Sequence, residues 1–237
     1  MLHKLSLEHI LFLDIETVPQ TRTFKELSSE KQHLWEEKSK YQRKEEFTAE
    51  EYYDRAGIWA EFGKIACISV GFFKNKEDSR TFRLTTFKGE ETKILTDFSN
   101  LLNTHFYKEH HLLCAHNGKE FDFPFIARRM LVNGLSLPSK LNLFGKKPWE
   151  VPHLDTLELW KFGDYKNYTS LKLLTNVLGI PSPKDDIDGS EVRDVFYEEQ
   201  NINRIALYCE KDVVAIAQII LKFRQEELLT DNEIISV

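Results

Sequence analysis

The chain has 237 residues, 41% hydrophobic and 30% charged, with a formal net charge of −6. That length and balance support a sizeable core and exclude a disordered chain. The acidic total excludes a large non-specific nucleic-acid coat, yet leaves room for an enzyme that holds a short strand.

The first predicted strand is His9 to Glu16, HILFLDIE, apolar on both faces at its centre as a buried strand should be. Side chains alternate along it, so Phe12, Asp14 and Glu16 share one face. Residues 20–57 are rich in Lys, Glu and Gln with scattered aromatics, among them Trp35 and Tyr53. They read as two or three short helices inserted between strands, because a structureless loop of that length is improbable. Strands are expected at Lys64–Phe73 and Arg80–Phe87, giving an antiparallel run with the first. A helix over Glu90–Tyr107 carries Ile94, Leu95, Phe98, Leu101, Leu102 and Phe106 at helical spacing. A short strand, His111–Ala115, leads to a helix over Phe123–Val132 closed by Asn133-Gly134. A Pro- and Lys-rich loop spans 137–152, a helix over Ser170–Leu178 ends at Gly179, and the last helix is expected from Asn201 to Leu229. The whole is an α/β chain, a mixed central sheet with helices on both faces, in one domain over residues 1–237 with a helical insertion at about 20–57.

Charge is uneven along this order. Between Lys119 and Lys172 nine Lys/Arg face six Asp/Glu, a basic segment in an acidic chain, though a solvated surface accounts for it equally well. Cys67, Cys114 and Cys209 lie far apart with no CxxC pair, and read as reduced core residues. The opening MLHKLSLEHILFLDIE is too charged for a signal peptide, and no stretch approaches the ~20 apolar residues of a membrane helix. The expectation is a cytoplasmic protein with no membrane role.

The chemistry lies in acids. Asp14 and Glu16 share a face of a buried strand, where two unpaired carboxylates are costly, so something cationic is expected beside them. Salt bridges or an exposed strand end would be the plain explanation. Asp122, in AHNGKEFDFPF, stands where a strand hands over to a helix, at the rim where α/β sheets build sites; a helix N-cap is its plain explanation. Asp212 interrupts the apolar stripe formed by Ile205, Cys209, Val213, Ile216 and Ile219. Tyr208 lies one turn earlier on the same face, where a core tyrosine is the plain alternative. Oxygen-only ligands favour Mg²⁺ or Mn²⁺ over zinc. Neither a P-loop nor GxGxxG is present, which disfavours ATP and dinucleotide chemistry.

Asp14-x-Glu16-Thr17, His116-Asn117-x-x-x-Phe121-Asp122 and Tyr208-x-x-x-Asp212 resemble the three exonuclease motifs of the DEDD superfamily, in order, with the tyrosine of its DEDDy branch. That branch includes the proofreading domain of family B DNA polymerases and ribonuclease D. The segments AGIWAEFGKIACISVGFF and PSPKDDIDGSEV are similar to stand-alone, polymerase-B-like bacterial 3′–5′ exonucleases. The resemblance covers nearly the whole chain, which has no room for a polymerase module.

The resemblance implies a ribonuclease H-like fold and a metal-dependent 3′–5′ exonuclease that releases nucleoside monophosphates from single-stranded DNA. It implies two Mg²⁺ or Mn²⁺ ions held by Asp14, Glu16, Asp122 and Asp212, clamping the attacking and leaving oxygens. Asp14 would bridge both ions, Glu16 and Asp212 would complete one site, and Asp122 would hold the second ion. Tyr208 would orient the attacking water, since a phenol of pKa ~10 is a poor base near neutral pH. Thr17, Asn117 and Phe121 are the candidate contacts to the terminal nucleotide, with a core role equally open for Phe121. Lys172 and Lys184 are candidate phosphate contacts, although solvated lysines are the plainer reading. Asp155 and Asp188 match no motif position and stay outside the metal set. The alternatives are a ribonuclease D-like exoribonuclease with the same site, a non-catalytic nucleic-acid-binding scaffold, and a proofreading subunit for a separate polymerase. The insertion would either cap the sheet or dock a partner.

Overall fold

The computed structural model describes residues 2–43, 46–76, 79–164, 166–181 and 186–237. Strand β1 (Ile10–Pro19) runs antiparallel to β2 (Gly63–Lys76), which runs antiparallel to β3 (Ser79–Lys88). Strands β4 (Leu112–Ala115), β5 (Leu154–Asp155) and β6 (Ile234–Ser236) complete a sheet of order β5-β4-β1-β2-β3-β6, with β4, β5 and β6 each parallel to the inner neighbour. The helices are α1 (Ser29–Arg43), α2 (Glu91–Thr104), α3 (Asp122–Val132), α4 (Thr156–Lys161), α5 (Leu171–Val177), α6 (Val192–Tyr197) and α7 (Ile202–Phe223).

The alternation of β1 sorts the core into two layers. Leu11, Leu13 and Ile15 point to the face covered by α2 and α3, with Leu95, Phe98, Phe123 and Ile126. Ile10 and Phe12 point to the opposite face, against Val213, Ile216 and Ile220 of α7. Asp14 and Glu16 share parity with Phe12, so the alternation that buries the strand also turns both acids toward α7. Their neighbours on β2 are small: Gly71 lies beside Phe12, Ser69 beside Asp14 and Cys67 beside Glu16. Gly71 has a packing reason. A Cβ there would meet Phe82 at 2.2 Å and Val213 at 3.1 Å, so its absence sets how closely α7 rests on the sheet.

The insertion forms two short 3-10 segments (Phe24–Glu26 and Glu51–Ile58) around α1. Its aromatics build a small cluster of their own: Leu27, Trp35, Tyr53 and Ala56 pack with Phe62. The Trp35 indole donates to the Ala49 carbonyl at 2.7 Å. Gly57 brings the end of the insertion onto β1, where a Cβ would lie 3.1 Å from the Val18 backbone. Tyr197 of α6 donates to the Pro19 carbonyl, and Arg193 pairs with Asp54, so α6 closes over the same region.

Several expected boundaries move: β1 runs on to Pro19 and β2 to Lys76, and two helices end early. The helix expected to run to Tyr107 ends at Thr104. The last helix ends at Phe223 rather than Leu229. Gln225 takes a left-handed backbone (φ 56°), its N–H donates to Lys222 O, and Glu226 N–H donates to Leu221 O. This is a Schellman closure with glutamine where glycine is usual. The chain then folds back, and Leu229 exchanges two hydrogen bonds with buried Gln218 before β6 pairs with the edge of β3.

Candidate active site

Four carboxylates meet where β1, the β4–α3 junction and α7 converge. Asp14 and Glu16 are half-buried on the α7 face of β1. Asp122 is 2% exposed and opens α3; Phe121, not Asp122, is the N-cap residue, so the plain explanation of Asp122 fails. Its Oδ1 is buried and has no hydrogen-bond partner among the described residues.

The acids raise one another's pKa. Burial pushes the Asp14 carboxyl well above the usual carboxylate range, and the charges of Asp122, Asp212 and Glu16 add to the shift; a hydrogen bond from Cys209 opposes it. Glu16 is raised by burial first, then by Cys67, Asp212 and Asp122. Burial lifts Asp122 to about 7 against the backbone N–H groups of Asp122 and Ile15, with Asp155 and Asp212 adding to the rise. Such a cluster at neutral pH either keeps protons or takes up a cation.

Cys209 belongs to this site. Its thiol lies 3.3 Å from both the backbone carbonyl and Oδ2 of Asp14. Burial first, then Cys67 and the acids, raises the thiol pKa, so it stays protonated and donates. The ligand atoms of Asp14, Glu16 and Cys209 lie within 4.8 Å of one another. All three cysteines are free and buried, as expected of reduced core residues, and Cys209 adds its hydrogen bond to Asp14. Its place one residue after Tyr208 on the acid-bearing face was the available signal.

Tyr208 and Asp212 line one cavity of about 180 Å³ together with Lys172, Thr175, Asp188 and Lys211. Tyr208 is half-buried and touches the Val18 cluster at the same time. Asp188 faces this cavity, yet its carboxylate accepts from the Ser190 backbone and hydroxyl, which hold its pKa down. It is a turn-capping acid. Lys184 lies outside the described residues.

A second cavity, of about 580 Å³, lies on the Glu16 side, within the range of small-ligand sites. Thr17 and Phe121 line it, with Arg55 and Ile58 from the insertion and Arg193 from α6. Beside it the β1–β2 register slips between Glu16 and Thr17, leaving Ala66 unpaired, a bulge of the kind that re-aims side chains beside sites. Phe121 lines this cavity while its ring also packs against Phe125, with centroids 5.3 Å apart. Arg55 and Arg193 were not singled out from sequence; no periodicity marks a residue whose position depends on an insertion folding back.

Asn117 has a left-handed backbone (φ 62°), and its N–H donates to Asp155 Oδ1 at 2.9 Å. Asp155, 2% exposed, also accepts from Lys119 N–H and caps α4 through Leu157 and Glu158 N–H. It fixes the loop that carries Asn117 and Asp122. His116 uses both ring nitrogens, on Thr156 Oγ1 and the Thr169 carbonyl. Among the described residues no helix is long and apolar enough to cross a membrane.

An acid-floored rim of a mixed α/β sheet, flanked by two cavities with cationic walls, defines a hydrolase-type site of the nuclease class. Residues 58–233 match a family described as "Predicted 3'-5' exonuclease related to the exonuclease domain of PolB", and the chain belongs to that family. In three dimensions the chain is similar to the family B DNA polymerase of the hyperthermophilic archaeon Pyrobaculum calidifontis, with a TM-score of 0.50 and 14% identity. The match covers 90% of this chain and 24% of that one. This likeness shows the fold, the ribonuclease H-like arrangement of the polymerase's exonuclease domain. No curated protein matches the chain in sequence.

Proposed function

We propose that the protein is a divalent-metal-dependent 3′–5′ exonuclease that hydrolyses the terminal phosphodiester bond of single-stranded DNA and releases nucleoside monophosphates. The observation that carries the reading is the orphaned, buried Oδ1 of Asp122 within a set of mutually raised carboxylates. A cluster of carboxylate oxygens fits Mg²⁺ or Mn²⁺.

Asp14, Glu16, Asp122 and Asp212 would hold two such ions. When bound, they would supply positive charge to the attacking and leaving oxygens. Tyr208, on the wall it shares with Asp212, orients the attacking water by hydrogen bonding rather than removing its proton. The terminal nucleotide occupies the larger cavity, its base against Phe121 and its sugar near Thr17, with Arg55 available to phosphate, whereas Arg193 is held by Asp54 and Asp194. Lys172 and Lys211 give the smaller cavity a basic wall suited to the neighbouring backbone. The Cys209 thiol positions Asp14 without contacting substrate.

The test uses DNA and RNA strands labelled at the 5′ end, each with a free or blocked 3′ end, in Mg²⁺, Mn²⁺ or EDTA. A descending ladder from DNA with a free 3′ end, abolished by EDTA, is expected. Immediate release of the labelled 5′ nucleotide, or cutting of a circular strand, would contradict the direction; a ladder from RNA alone would change the substrate.

A further inference from the structure

The opposite ends of the same strands carry another constellation. His9 immediately precedes β1, and His111 immediately precedes β4. The parallel register pairs Ile10 with Leu112, so the preceding residues, His9 and His111, stand side by side on the face opposite Ile10. A backbone turn fixes each: His9 N–H donates to Ser6 O, and His111 N–H to Lys108 O. His110 completes the group. Ring centroids are 4.3 Å apart for His9 and His110, 4.7 Å for His110 and His111, and 5.6 Å for His9 and His111. One nitrogen from each ring falls within 4.8 Å of the others.

Packing alone leaves one feature of this cluster unexplained. His111 is 8% exposed, and its Nδ1 is buried with no hydrogen-bond partner among the described residues. A buried imidazole nitrogen without a partner is costly, and it calls for a partner such as an ion or an ordered water. Its ring is held against Phe106 at 5.3 Å, so rotation toward solvent is obstructed. The nearby cation is committed elsewhere: the Lys140 ammonium donates to the carbonyls of Lys108 and Glu109.

We propose that His9, His110 and His111 form a binding site for one transition-metal ion, with Zn²⁺ as its occupant. Three neutral imidazoles with no carboxylate select zinc and its neighbours over Mg²⁺ and Mn²⁺, the reverse of the acid site. Metal–nitrogen bonds of ~2.0–2.1 Å in a tetrahedron put the nitrogens ~3.4 Å apart, a closure that small side-chain rotations supply. Half-buried His9 and exposed His110 leave the fourth position open to water. Bound there, the ion ties the start of β1 to the start of β4 and acts as a structural staple. The site stands apart from the exonuclease reading, and neither depends on the other.

The experiment equilibrates the full chain with Zn²⁺ in excess Mg²⁺, removes loose metal by gel filtration and counts zinc per chain. Co²⁺ replaces Zn²⁺ for an absorption spectrum, and Tm is measured with and without Zn²⁺. His9→Gln and His110→Gln are the site variants, chosen because neither is deeply buried, and Asp14→Asn is the control at the acid cluster. Retention of one zinc by wild type and Asp14→Asn, lost in both histidine variants, is expected. It should come with tetrahedral Co²⁺ bands and a zinc-dependent Tm rise of about 5 °C, absent from the histidine variants. Zinc retained by the histidine variants but lost in Asp14→Asn would assign the ion to the acids and overturn the proposal. Failure of wild type to retain zinc would overturn it equally.

Discussion

The two faces of the sheet bury charge in opposite ways. On the α3 side, Arg129 and Glu91 form a closed set: two guanidinium N–H groups reach both carboxylate oxygens and a third reaches the Ala60 carbonyl. Glu91 also accepts from Ile65 N–H and the Asn133 amide. On the α7 side, Asp14 is surrounded by other carboxylates, and Asp122 keeps an oxygen with no partner among the described residues. The first arrangement is complete within the chain; the second leaves an Asp122 oxygen unanswered among the described residues. Buried charge alone is therefore no mark of a site, whereas buried charge that its surroundings leave unanswered is.

Substitution at each face should separate the two. Asp14→Asn should lower nuclease activity by about 10³-fold or more, while the metal-free protein keeps or gains thermal stability because a buried charge has gone. Undiminished cleavage by a folded Asp14→Asn protein would end the metal reading. Arg129→Met should do the reverse. It strands Glu91 and should cost about 3–5 kcal/mol, read as a fall in Tm of about 10 °C, with activity per folded molecule unchanged. A stable but inactive Arg129→Met variant would show that the two faces are not independent.

Tyr208→Phe sharpens the comparison within the α7 face. Loss of an orienting hydrogen bond predicts a kcat lower by about 10–10³-fold, with metal affinity and Tm near wild type. Full kcat at saturating metal would return Tyr208 to the core. A fall in Tm, with activity tracking the folded fraction, would make its hydroxyl a structural donor.

The smallest effect concerns pH. Asp122 sits at about 7 in the folded chain, above its ordinary value, mainly through burial. Its contribution to stability is therefore fully present below the ordinary carboxylate pKa and is lost as pH rises through about 7. In EDTA, Tm should fall by about 5 °C between pH 5 and pH 8. Asp122→Asn should flatten that slope, and Mn²⁺ should oppose it. An unchanged slope in the Asn variant would show that Asp122 is not the group responsible.

How legible all this was depended on where the determining contacts lay. β1, β2, β3, α2 and α3 carry periodic apolar patterns, and their own residues announce them. The two-residue β5, the three-residue β6 and the six-residue α4 and α6 were not anticipated. Each is too short to show a period and exists because neighbours supply its partners. α7 was extended too far because RQEELL reads as good helix, while the closure at Gln225 uses a residue that does not advertise a left-handed turn. The four acids and Tyr208 stood out because each breaks an apolar pattern or marks a strand end. Asp155 did not. Its four backbone donors come from two segments, Asn117 to Lys119 and Leu157 to Glu158, that only the fold brings together.

Gly71 carries a consequence for judging relatives of this chain. It holds no chemistry, yet it sets the clearance between the sheet, which carries Asp14, and α7, which carries Asp212. A methyl group there must displace Phe82 or lift the helix near Val213. A relative could thus retain every acid and the tyrosine while holding them at an altered spacing. Inheritance of the motif alone does not certify a working nuclease; a side chain at this position would be the first sign of one retired from catalysis.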